Sequence, residues 1–80
     1  MYKDDISQQE LVSFYQGITQ KVKDIRKQKK ITQLDLALSI WHKSMSTIGK
    51  IEAGLENKHY NLEQLYRIAK TLDVDIKVFL

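Results

Sequence analysis

Apolar side chains recur along this chain at intervals of three and four residues. Leu11, Phe14, Ile18, Val22 and Ile25 form one series; Leu36, Ala37 and Ile40 form a second. Ile48 and Ile51 form a third, and Leu62, Leu65, Ile68, Ala69 and Leu72 a fourth. That spacing is the period of a helix with one buried face. Proline is absent and glycine occurs only at Gly17, Gly49 and Gly54, so little interrupts the pattern. The expectation is an all-α fold.

Polar residues at the edges of each series predict where helices start and stop. Ser7 followed by Glu10 has the spacing of a capping box. The first series then crosses Gly17, which allows either one long helix with a weak point or two helices broken there. A glycine costs about 1 kcal/mol in a helix interior, which favours the break. Residues 1–16 are therefore expected to form an N-terminal extension helix, separate from a domain over 17–80. Thr32 can cap the next helix with Asp35 at the third position, and Ser44 can cap the one after it. Gly54 suits a left-handed stop. Asn61 with Gln64 opens a fourth helix, and Asp75 can cap a final turn over "IKVFL".

Size and composition narrow the function. Eighty residues make one domain, and a chain this short buries only about 60% of its unfolded surface. There is no cysteine, and two isolated histidines, His42 and His59, do not make a zinc site, so no cofactor or metal is expected. No apolar run approaches the ~18 residues of a membrane span. "MYKDDISQQE" carries acids where a signal peptide needs bases and an apolar stretch, so a cytoplasmic protein is expected. Catalysis is not expected either: the acids are scattered, there is no glycine-rich phosphate loop, and neither histidine has an obvious nucleophile beside it. Net charge is only +3, yet "KVKDIRKQKK" from Lys21 to Lys30 holds six bases and one acid. That run is either a solvated helix face or one wall of a phosphate-binding surface.

Two short helices around a tight connection, with the small Ala37 where they would cross, suit a helix-turn-helix. The ordered set "ITQ" (Ile31 to Gln33), "LA" (Leu36, Ala37), "STI" (Ser46 to Ile48) and "KIEAG" (Lys50 to Gly54) resembles the Xre family of phage-repressor and Cro-like regulators. "NLEQLYRIAKTLDVDIKVFL" is similar to the family's fourth and fifth helices, so the resemblance covers roughly residues 18–80. It implies a five-helix repressor-like domain, here with an extra N-terminal helix, that binds double-stranded DNA as a dimer and regulates transcription, typically as a repressor. It also implies that Gln33 touches phosphate or a base edge. Ser44, Met45, Ser46 and Thr47 would face the groove, with Lys50 one turn later. Lys58 and His59 would lie in a loop that approaches the backbone. Arg26 would pair with Glu52, tying the first helix to the recognition helix.

Three features depart from the family. The turn between Ala37 and Ile48 looks one residue longer than usual, with Trp41 near the position of the usual turn glycine. Leu34 and Leu38 stand where the family usually carries charge, and together with Trp41 they form an apolar stripe. The segment through Tyr15 lies outside the common motif, and its Leu11, Phe14 and Tyr15 could cover that stripe, within one chain or across a dimer. The expectation is that residues 7–16 do so. An uncovered stripe would instead favour an antitoxin-like module that binds a protein partner, with or without DNA.

The recognition segment is chemically sparse. Strong base readout uses Arg, Lys, Asn or Gln, and no Arg, Asn or Gln lies between Ser44 and Ala53. Ser46 and Thr47 discriminate weakly, Met45 can meet a thymine methyl, and Gly49 permits close backbone approach. Phosphate contact is better supplied: Lys43, Lys50, Lys58 and His59 lie near helix starts at Thr32, Ser44 and Asn61, where free N–H groups attract anions.

Overall fold

The computed structural model describes residues 6–41 and 44–80. Four α-helices appear in them: α1 (Gln8–Gln28), α2 (Gln33–Ser39), α3 (Ser46–Ala53) and α4 (Leu62–Leu72). Short 3-10 turns occupy Leu55–Asn57 and Ile76–Phe79. The all-α expectation holds. The expected fifth helix is only the second of these turns.

α1 corrects the expected break. It runs without interruption through Gly17, so the extension and the first helix of the domain are one element. A Cβ at Gly17 would meet nothing within 4 Å. The glycine therefore sits on the open side of the helix and costs only its backbone entropy. Just beyond it, Ile18 and Val22 anchor the helix to the core. Ser7 caps α1 by accepting the Glu10 N–H at 3.0 Å.

The caps expected at Thr32, Asn61 and Asp75 form as the sequence predicts. Thr32 Oγ1 accepts from Asp35 N at 3.0 Å. Asn61 and Gln64 form a full reciprocal capping box on α4. Asp75 accepts from Lys77 N at 2.9 Å and opens the last turn. Gly54 ends α3 in the left-handed region, φ 72°. Three other helix ends use left-handed residues that are not glycine: Lys30, Trp41 and Asp73. After α1, Ile31 N bonds to Arg26 O and Lys30 N to Lys27 O; after α4, Val74 N bonds to Ala69 O and Asp73 N to Lys70 O. Both are Schellman closures, which satisfy carbonyls that the helix leaves open.

The core forms where the four apolar series meet. Val22, Leu36, Ala37, Ile40, Ile48, Ile51, Leu65, Ile68, Ala69 and Leu72 are all buried, with Ile18 and Ile25 packed at the edge. Tyr60 and Phe79 complete it from the loop and the last turn. Leu62 is the exception within the fourth series, at 68% exposure, and Leu11 and Phe14 of the first series are exposed as well. Leu62 is the first residue of α4 and lies where the packed face ends.

A charged pair is buried within this apolar set. Arg26 Nε lies 2.8 Å from Glu52 Oε2 and its Nη2 donates to Oε1 at 3.0 Å. Its Nη1 donates to the Ile31 carbonyl at 2.8 Å. The pair therefore joins α1, the α1–α2 connection and α3, as the sequence suggested. The side chains are 9% and 4% exposed, so neither charge can turn to water if its partner is lost. Nearby, burial and then the Glu52 carboxylate hold the Tyr60 hydroxyl far above the usual phenol range, with Arg26 opposing.

Two outcomes follow. Gly17→Ala should stabilise the protein by up to about 1 kcal/mol, since α1 is continuous and the new methyl meets open space. A thermal melt should rise by several degrees, and an unchanged or lowered melt would show a break at Gly17. Arg26→Ala and Glu52→Ala should each cost about 3 kcal/mol or more, because each strands a buried charge. A urea-denaturation double-mutant cycle should report strong coupling; additive losses would reject the pairing.

Candidate nucleic-acid interface

α2 and α3 pack on one another, with Ala37 fully buried in α2. Between them the backbone leaves Ile40, turns through left-handed Trp41 (φ 65°), and re-enters at Ser44. His42 and Lys43 lie outside the described residues, so the expected contact at Lys43 has no structural counterpart here. A tryptophan at positive φ is strained. It is held from the far side by Arg67, whose guanidinium carbon lies 3.7 Å from the centre of the indole ring. Glu63 holds Arg67 in turn through bonds of 3.1 and 3.2 Å.

The expected cap at Ser44 is displaced by one residue. Met45 O receives the first helical bond, from Gly49 N, and Met45 itself has no side-chain cap. Ser44 Oγ instead accepts from Ser46 N at 3.1 Å and bonds Ser46 Oγ at 3.0 Å. A serine hydroxyl readily closes such a turn two residues on. Ser44, Met45 and Ser46 are exposed, while Thr47 and Lys50 are half-buried, so this start of α3 faces solvent.

Gln33 reaches this helix from α2. Its Nε2 donates to Glu52 Oε1 at 3.0 Å. Its Oε1 lies 3.9 Å from the position a Cβ on Gly49 would take. A methyl at that point would make only ordinary van der Waals contact with the amide. A carboxylate only accepts, so Glu52 fixes which end of the Gln33 amide turns inward.

Lys58 and His59 gather beside α3, which itself carries Lys50. Thr47, Ile51, Asn57, Lys58, His59 and Asn61 line one shallow hollow, which brings α3 beside the start of α4. His59 stacks on Tyr15 of α1, ring centres 3.9 Å apart and planes 16° apart. Phe14 meets Tyr15 edge-on at 5.9 Å. Sequence reasoning missed Tyr15 here, and it also missed Glu56. The Glu56 carboxylate lies 3.2 Å from Lys50 Nζ and 3.9 Å from Lys58 Nζ.

These contacts correct the expected cover of the apolar stripe within one chain; cover across a dimer belongs to the proposals below. The N-terminal half of α1 packs over the loop that carries His59, not over α2. Leu34, Leu38 and Trp41 remain 44%, 54% and 75% exposed. They lie off the side of α2 that holds Leu36, Ala37 and Ile40, and among the described residues the contact found on them is that of Arg67 with the Trp41 ring. Leu11 and Phe14 are also exposed.

Among the described residues no helix is long and apolar enough to cross a membrane, and no cluster of three or more His, Cys, Asp or Glu side chains could hold a metal. No curated protein and no solved structure matches the chain. A family model described as helix-turn-helix matches residues 22–79, from the buried Val22 of α1 to Phe79 of the last turn. The chain therefore belongs to the Xre/Cro-like helix-turn-helix family of DNA-binding domains.

Proposed function

We propose that the protein is a sequence-specific regulator of transcription that binds double-stranded DNA as a dimer and acts as a repressor in the cytoplasm. The observation that carries this reading is the exposed start of α3, with Gln33 bonded to Glu52 of that helix, Lys58 and His59 beside it, and Lys50 linked to Lys58 through Glu56. In it, α3 enters the major groove, a space about 12 Å wide that admits one helix. Ser44, Met45, Ser46 and Thr47 meet base edges; Gln33, Lys43, Lys50, Lys58 and His59 meet the backbone. The capping box of α4 occupies Asn61 N and Gln64 N, and the N–H groups between them are available to a phosphate. With so few strong base-reading side chains, much of the affinity is electrostatic. DNA shape then contributes to the choice of site.

Log affinity should therefore fall linearly with log salt, with a slope near −0.9 per phosphate neutralised. Lys50→Ala and Lys58→Ala should each weaken binding to many sequences alike and reduce the slope by about one, while leaving the melting temperature unchanged. A selection from random duplexes should return a two-fold site. Failure to bind any duplex at low salt would overturn the reading.

The C-terminal segment is the proposed dimer interface: Val78 and Leu80 are exposed on either side of buried Phe79. Two-fold pairing there would set the recognition helices about 34 Å apart, one turn of DNA. A second reading rests on the exposed Leu34, Leu38 and Trp41, a surface that suits a protein partner as an antitoxin's would. Mass measurements separate the two. Val78→Lys should give a monomer with weakened DNA binding, whereas Leu38→Lys should keep the dimer. Loss of the dimer in Leu38→Lys alone would move the interface to the stripe, covered by a second copy. A strictly monomeric wild type, with and without DNA, would reject dimerisation and favour the stripe as a site for a different protein.

A further inference from the structure

Glu56 sits between two of the proposed backbone-contacting lysines, and the chain adopts an unusual conformation to put it there. Gly54 leaves α3 at φ 72°, and Glu56 and Asn57 then take φ values of 57° and 54°. Two successive non-glycine residues in the left-handed region are uncommon, since L side chains crowd the backbone there. The result is a tight reversal after α3. It brings one carboxylate oxygen to 3.2 Å from Lys50 Nζ and the other to 3.9 Å from Lys58 Nζ. One lysine lies on α3 and the other just beyond the reversal, so the carboxylate bridges two elements.

We propose that Glu56 is an internal competitor for the phosphate backbone: it occupies Lys50 and Lys58, and duplex DNA must displace it to bind. This rests on the DNA-binding reading above and goes beyond it by assigning a residue that lowers affinity. A carboxylate and a phosphate diester offer a lysine the same thing, an anionic oxygen at hydrogen-bond distance. All three side chains are about half exposed, so the bridges are screened by water and weak enough to exchange. When the lysines turn to DNA, the carboxylate is left near the phosphates without a partner, which adds repulsion. Binding that depends wholly on charge loses the largest share of its strength. Contacts between α3 and the bases are untouched.

The test measures the affinity of the full chain for a short mixed-sequence duplex, by fluorescence anisotropy across a salt series. Glu56→Gln keeps the length of the side chain and removes its charge. It should bind about fivefold tighter at low salt, and the gain should shrink as salt rises. Asp73→Asn removes the same charge from the far end of α4, at a left-handed position that asparagine also suits. It should gain much less. In a Lys50→Ala/Lys58→Ala background, Glu56→Gln should gain no more than Asp73→Asn does. Equal gains for Glu56→Gln and Asp73→Asn in the wild-type background would reduce the effect to net charge and overturn the proposal. So would unchanged or weaker binding of Glu56→Gln. Those outcomes leave the DNA-binding reading standing, whereas a wild type that binds no duplex at low salt removes both.

Discussion

The buried Arg26–Glu52 pair is the constraint around which the rest is arranged. Two charges withdrawn from water cost several kcal/mol each unless their hydrogen-bonding capacity is filled. Here three guanidinium bonds go to Glu52 and the Ile31 carbonyl, and Glu52 takes a further one from Gln33. The main chain repeats the same link, with Ile31 N bonded to Arg26 O. Arg26 therefore sets where α1 ends, how the chain turns into α2, and where α3 lies against both. An apolar pair of similar volume could fill the space, but it could not orient the Gln33 amide. The stability of the core and the presentation of a proposed DNA contact thus meet in one carboxylate.

The connections obey a second constraint. Short helices need closing residues at positive φ, and this chain supplies glycine for only one of them. Lys30 and Asp73 accept the conformation because both sit in Schellman closures, where the hydrogen bonds gained offset the strain. Trp41 is the costlier choice, and its ring is held by Arg67 from α4. Trp41 thus draws support from α4 as well as from the local Trp41 N–Leu38 O bond.

Apolar surface is divided unevenly. The four apolar series converge on one small core, closed by Tyr60 and Phe79. Leu34, Leu38, Trp41, Leu11 and Phe14 stay outside it. A domain of this size cannot enclose more without another element. α1 does not serve as that element, because Tyr15 commits its N-terminal half to His59. The exposed stripe on α2 and the aromatic contact on the loop are thus two consequences of one helix direction.

Local chemistry decided what the sequence could settle alone. Thr32, Asn61 and Asp75 cap by short-range hydrogen bonds, and Gly54 stops α3, because each needs only neighbours within three residues. The apolar period marked the core faces, and the spaced motif marked the Arg26–Glu52 pair and the family. What the sequence could not settle depended on competition between distant groups. Gly17 looks like a break until the helix around it is anchored by the core. Ser44 looks like a cap until Met45 joins the helix. Leu62 shares the apolar period but lies where packing ends. The direction of α1 beyond the core, the support of Trp41 by Arg67 and the approach of Glu56 to Lys50 and Lys58 join residues whose contact no local pattern encodes. Only the three-dimensional packing selected those contacts, since each trades backbone strain or exposure at one place against an interaction gained at another.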